Sequence, residues 1–281
     1  FGPISSLVQE GNDYSILENA RKLEENEYRV HNKLGYISLN QPLNNDEILA
    51  VAFQYTVGGQ VYQVGEFANN GVEATDLSDN NGELKISNNS LIVKMLKSSL
   101  TNVKQPVWDL MMKNIYSIDA NRINKEDFKL NIFYSNPSPI NYIEPVDSSK
   151  WPETLSKKTL LSVFNLDNLN INNDIQNGGD GFFDFVPGLT IDSNNGLIIF
   201  TSVEPFGEYL FNKLKDANST SENYQNLNSY NENQKKYVYQ EVYNTTKTGA
   251  EEKIEKNKFQ VKGSYKTSGD SGGIPIGQFN V

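Results

Sequence analysis

The chain has no cysteine and a single histidine, His31. Without thiols there can be no disulfide framework, thiolate nucleophile or zinc–thiolate site. One imidazole excludes multi-histidine metal sites and most catalytic triads. The lack of cysteine leaves the compartment open. No run approaches the roughly 20 apolar residues of a membrane-spanning helix. Basic residues are outnumbered, 25 Lys and Arg against 35 Asp and Glu, for a net charge of −10. Nucleic acid and anionic membrane surfaces both need clustered Lys and Arg. No such cluster occurs, so neither is an expected partner.

What is present points to a folded, aromatic-rich chain: 15 Tyr and 14 Phe within 281 residues. That length suits one large domain or two ordinary ones. Four of the ten prolines (Pro137, Pro139, Pro145 and Pro152) fall within 136–152. This stretch reads as an extended connector, with 1–135 and 153–281 as halves of a single segment. The sequence opens Phe1-Gly2-Pro3 and closes on the strand-like Ile274–Val281, the pattern expected of an internal piece of a longer protein.

Residue periodicity predicts an α+β, β-rich fold of antiparallel hairpins with a few packed helices. Phe53, Tyr55 and Val57 alternate up to Gly58-Gly59, and Val61–Val64 returns. A two-residue loop there pairs Tyr55 with Tyr62 and Phe53 with Val64 on one apolar face. Strands are also predicted at 28–30, 36–39, 91–96, 128–135 and 258–265, and a hairpin at 189–201 around Asn194-Asn195-Gly196. The patterns Val30–Leu39 and Ile191–Phe200 match, each running strand, polar turn, Gly, then an apolar run. Helical spacing marks 13–25, 206–214 and 234–243. A further helix is predicted from Pro106, with a broad apolar face (Val107, Trp108, Leu110, Met111, Met112, Ile115) set against a sheet. His31 falls at a turn, where it suits local hydrogen bonding, and 69–89 reads as a polar surface excursion.

The most distinctive stretch is Asn165–Phe200. Its first half is dense in Asn, Asp and Gly, residues that tolerate left-handed backbone and bond their own main chain. Phe182, Phe183 and Phe185 are expected to pin this loop to a core. Two chemistries are conceivable. Asp180 and Asp184 could form a carboxylate pair of the glycosidase kind. Asp167, Asp174, Asn177, Asp180 and Asp184, with Asn172, supply hard oxygen ligands of the kind calcium takes from flexible loops. The spacing does not fit the EF-hand rule, so a metal-free loop of Asx-turns stands beside the calcium reading. The Gly269–Gly273 run lies between strand-like pieces and does not make a phosphate loop. The residues by themselves give an acidic, aromatic-rich α+β segment with no catalytic constellation.

Several strings resemble a known family. GYISLNQPLNNDEILAVAFQYTVGGQVYQVGEF (35–67), WDLMMKNIYSI (108–118), NGGDGFFDFVPG (177–188), VEPFGEYL (203–210) and NKFQVKG (257–263) are similar to the SprA/Sov family. These are the outer-membrane translocons of the Bacteroidetes type 9 secretion system, also needed for gliding motility. The resemblance is collinear and covers nearly the whole chain. It implies a very large β-barrel that exports folded cargo bearing C-terminal signals and works with a PorV-type barrel partner. It implies no enzyme activity and no required cofactor. The chain lacks the long series of lipid-facing strands of a barrel wall. The resemblance therefore makes it a soluble insertion that walls or caps the export conduit, facing the cell exterior or alternatively the periplasm. The rival class is a cell-surface adhesive or carbohydrate-binding β-module. That rival predicts an exposed aromatic strip on one sheet face, whereas a conduit part predicts those aromatics buried.

Overall fold

The computed structural model describes residues 8–11, 13–18, 20–67, 75–80, 83–88, 91–216, 219–266 and 274–280, with the strands inside 75–88 and at 274–280 described by backbone alone. The chain is α+β and β-rich, built of small antiparallel sheets and short helices. Among the described residues no helix is long and apolar enough to cross a membrane. Two compact units divide at Met111/Met112.

In the first unit, β1 (Tyr28–His31) and β2 (Tyr36–Leu39) form a hairpin in which Val30 faces Ile37. His31 stacks on Tyr36 at 4.1 Å, and its Nε2 lies 3.0 Å from Ser38 Oγ, the local role expected of it. β3 (Leu49–Val51) is followed after Ala52 by β4 (Phe53–Val57), and Gly58-Gly59 turns the chain into β5 (Gln60–Val64). The register is the expected one, Tyr55 opposite Tyr62 and Phe53 opposite Val64. β6 (Thr75–Asn80) pairs with β7 (Glu83–Asn88) inside the anticipated polar excursion, and β8 (Lys94–Lys97) returns to pair with β3. Lys97 Nζ donates to the carbonyls of Asn44, Asn45 and Glu47, the last at 2.6 Å, which ties the entering loop to β8.

Among the described residues two predicted helices are absent. Between residues 13 and 25 the described chain forms turns and a bridge from Glu10 to Tyr14, with Ile16 and Leu17 exposed. A single short helix with no packed face is marginal in water, so a capping pattern alone does not form one. After Pro106 there is only a 3-10 turn, Pro106–Leu110, whose buried residue is Trp108. Leu110, Met111 and Met112 are exposed rather than packed on a sheet. Ile115 enters β9 (Ile115–Ser117) instead, where ladder bonding overrides helix propensity.

The second unit holds the core. β10 (Lys129–Ser135) alternates Leu130, Ile132 and Tyr134 inward, as its period-2 pattern predicts. It is followed by β11 (Pro139–Ile140) and α1 (Leu160–Val163), then by the hairpin β12 (Ile191–Asp192) and β13 (Leu197–Ile199), which β9 joins. The span predicted as one helix at 206–214 starts as a π-type turn, Pro205–Tyr209, and continues as α2 (Leu210–Lys213). The span 234–243 is split into α3 (Glu232–Tyr237) and α4 (Glu241–Asn244), because Val238 is extended and the Tyr239 N–H donates to the Phe206 carbonyl. α5 (Lys247–Glu251) leads into β14 (Phe259–Tyr265) and β15 (Ile274–Asn280). The larger sheet has the order β11-β10-β14-β15.

The proline-rich stretch 136–152 is therefore not a boundary between halves. The strands on its two sides, β10 and β14, are hydrogen-bonded neighbours. The stretch is strapped down along its length. Asn233 Oδ1 accepts from the Val146 N–H and the Ser149 hydroxyl, Asn233 Nδ2 donates to the Lys150 carbonyl, and the Tyr237 hydroxyl donates to the Glu144 carbonyl. The main-chain groups of Glu144, Val146 and Lys150 thus find buried partners.

At the centre, Phe164, Phe200, Phe206 and Phe259 meet edge-on or tilted, with Phe206 4.9 Å from both Phe164 and Phe259. Such pairs add to the burial of large apolar area. Phe206→Ala should therefore destabilise the second unit by about 3–5 kcal/mol. Phe182→Ala, at a side chain 67% exposed, should stay within about 0.5 kcal/mol. Urea unfolding followed by far-UV circular dichroism separates the two; equal losses would mean that the core lies elsewhere.

Candidate functional site

The loop 165–190 is closed by two carboxylates that face opposite ways along it. Asp167 Oδ1 accepts from the N–H of Asp180 (2.9 Å) and Gly181 (3.2 Å), and Oδ2 also lies 3.2 Å from the Gly181 nitrogen. Asp184 reaches back, its Oδ2 accepting from Asn168 N–H (2.7 Å) and its Oδ1 from Leu169 N–H (3.1 Å). Between them the Asp184 N–H donates to the Leu166 carbonyl at 2.8 Å. Thr190 completes the closure, donating to the Asp184 carbonyl and accepting from Val186 N–H. Asp167 is 1% exposed and Asp184 9%. Buried carboxylates are tolerable only when their oxygens are met by donors, and charge-assisted bonds to main-chain N–H groups are among the stronger ones.

Local sequence makes the clasp possible. Gly178, Gly179 and Gly181 all have positive φ, which lets the chain curl around the Asp167 carboxylate. At Gly179 there is no room for a β-carbon, because it would overlap that same carboxylate. Phe183 and Phe185 pack edge-on against Phe128, at 5.5 and 5.4 Å, and hold the second strand of the loop to the core. Phe182 does not share that role, and points out with Ile171 and Ile175.

The clasp settles where the expected ligands lie. Asp167, Asp180 and Asp184 come together, close enough that the charges of Asp180 and Asp184 act on Asp167. Asp174 and Asn177 sit exposed on the outer turn, away from solvent-excluded oxygen. Asn170, whose Oδ1 accepts from Asn172 and Asp174 N–H, organises that turn. Among the described residues no group of three or more His, Cys, Asp or Glu side chains is arranged to hold a metal ion. The carboxylate pair is not disposed for acid–base work either. Asp184 has both oxygens engaged by main-chain donors, and Asp180 Oδ1 accepts from Phe182 N–H at 3.0 Å.

A second polar cluster was not anticipated. Tyr243 accepts the Phe206 N–H at 2.9 Å, Tyr224 donates to Glu204 Oε2 at 2.7 Å, and Tyr116 donates to the Lys113 carbonyl. Burial pushes all three phenols well above their ordinary range, so they stay protonated. Nearby, Asn231 and Gln234 form a capping box on α3, and Gln234 Nε2 also reaches Glu222 Oε2 at 2.7 Å. The Asn-x-x-Gln spacing is visible in the sequence and could have located this helix start. Nothing in the spacing signals the tyrosine cluster, because its members are brought together only by tertiary folding.

No family model matches this chain, and no curated protein matches it either.

Gly179→Ala should destabilise the second unit by at least about 3 kcal/mol, through overlap with a buried charged group. Gly178→Ala, at a site with positive φ and open space, should cost only about 1–2 kcal/mol. Equal costs in urea unfolding would show that the Asp167 contact does not matter. Asp167 also sets a pH dependence. Burial, outweighing the two main-chain donors, raises its pKa above the ordinary 3.8. The native state therefore holds that proton more tightly than the unfolded chain. Its contribution is fully present below the ordinary value and is lost as pH rises through the folded value. Unfolding free energies measured across acidic pH should fall with pH in the wild type relative to Asp167→Asn; parallel curves would refute the assignment.

Proposed function

We propose that this chain is a non-catalytic structural segment of a SprA/Sov-type translocon, forming or capping the conduit through which folded cargo leaves the cell. The observation that carries this reading is where the family-like strings fall in the fold. Residues 35–67 cover β2 to β5, 177–188 the clasp, 203–210 the π-type turn and the start of α2, and 257–263 most of β14. These parts build and brace the fold, and none of them gathers an acid, a base and a nucleophile in one cleft. The clasp fits a part that works by shape, because its two carboxylates hold a long loop in one conformation.

On this reading the partners are the remainder of the translocon barrel, a PorV-type barrel and secreted cargo, and gliding motility depends on it through export. The location follows as the outer membrane, with this segment on its exterior side. A net charge of −10 suits brief, weak contact with passing cargo. On this reading the clasp requires no calcium, and main-chain N–H groups give its carboxylates partners of their own.

One observation favours a second reading, a surface-binding module. Phe53, Tyr55 and Tyr62, which a conduit wall would bury, are 42%, 46% and 43% exposed. Their arrangement is a ridge rather than a platform: Tyr55 and Tyr62 stack on each other at 5.2 Å, which covers one face of each ring. A sugar would meet ring edges and the outer faces alone.

Photo-crosslinking in cells with a probe replacing Phe182 tests the first reading. Adducts with barrel or exported cargo are the expected result. Adducts confined to surface glycoconjugates would replace it with the second reading. Melting of the purified chain should be the same in EDTA and in excess Ca²⁺, and a calcium-dependent rise would restore the metal site.

A further inference from the structure

The hairpin β4–β5 stands apart from the rest of the described fold. Both of its faces are open: every residue of β4 is exposed, and so are the first four of β5. It forms a sheet of two strands only. Isolated two-stranded hairpins are marginal in water. In an antiparallel pair only alternate residues bond the partner strand, so half of the main-chain groups of β4 face outward. No described residue bonds them.

Natural edge strands are guarded by Lys, Pro or an inward charge. Here none is present. From Ile48 to Gly65 there is no charged side chain and no proline, although the chain as a whole is one-fifth charged. An uncharged window rich in β-branched and aromatic residues is the type that pairs with its own copies. On a chain with a net charge of −10, this edge carries no charge of its own to repel a second copy.

We propose that the outer edge of β4 pairs antiparallel with β4 of a second copy, joining two hairpins into a four-stranded sheet β5-β4-β4-β5 across a two-fold axis. Centred on Tyr55, that pairing sets Tyr55 opposite its counterpart and Phe53 opposite Val57 of the other copy. This repeats the aromatic–aliphatic match that Phe53 already makes with Val64 inside the hairpin. The ridge of Phe53, Tyr55 and Tyr62 then continues unbroken across the axis. The interface is isologous and closes at two copies, provided β5 stays unpaired at its own outer edge. Self-pairing does not rest on the export reading and applies equally to a surface module.

The test uses the whole chain in sedimentation velocity. Strand pairing of this small extent is weak, with a dissociation constant on the order of 100 µM, so dimer should appear as concentration rises through that range. Added salt should increase it by screening the mutual repulsion of two acidic chains. In the proposed register residue 54 faces residue 56 of the other copy. The double substitution Gln54→Lys with Thr56→Lys, at two exposed positions, should therefore abolish dimer while leaving circular dichroism and melting unchanged. The absence of native cysteine allows a register check: Tyr55→Cys should give a disulfide-linked dimer on mild oxidation, and Val57→Cys should not. A chain monomeric throughout that range, a dimer indifferent to the two lysines, or equal crosslinking at 55 and 57 would each overturn the proposal.

Discussion

Two carboxylates answering each other across one loop are the constraint on which the second unit depends. Asp167 holds the N–H groups of Asp180 and Gly181, and Asp184 holds those of Asn168 and Leu169. Neither could be buried without the other's segment supplying donors, so the two halves of the loop fix each other. From that clasp the chain passes to Phe183 and Phe185 against Phe128, then through Thr190 into β12. An Asn- and Gly-rich sequence, otherwise prone to wander, thus becomes a brace between α1 and the hairpin β12–β13.

How much of this could be read from the sequence follows from the range of the interactions involved. The hairpin at Gly58-Gly59, with its register, was legible because turn chemistry and alternation are local. The inward face of β10 was legible for the same reason. The helix expected after Pro106 failed because Ile115 is claimed by β9, whose partner β13 lies some eighty residues further on. The connector at 136–152 was misjudged because prolines report local extension and say nothing of Asn233 or Tyr237, which bind it from a distant helix.

At the loop, residue types point to oxygen-bearing side chains but not to the groups those side chains meet. Asp and Asn side chains serve metals and main-chain N–H groups with the same oxygens, and composition cannot distinguish the two. In the fold, Asp167, Asp180 and Asp184 each accept from main-chain N–H groups. Phe182 shows the same limit. Three phenylalanines in four positions look equivalent in sequence, yet in an extended segment neighbours point to opposite sides. One of the three is therefore left facing water.

The pairing of β10 with β14 joins strands about 130 residues apart in the chain. During synthesis at a ribosome, the first unit has all its residues long before the second can complete its sheet. The nascent second unit would expose Ile132, Phe164 and Phe206 until Phe259 and Val261 emerge to cover them. Long-range closure of this kind is slow and leaves apolar surface open meanwhile. Synthesis that stops short of Phe259 therefore leaves this core uncovered, so the order in which the strands emerge bears on the yield of folded chain.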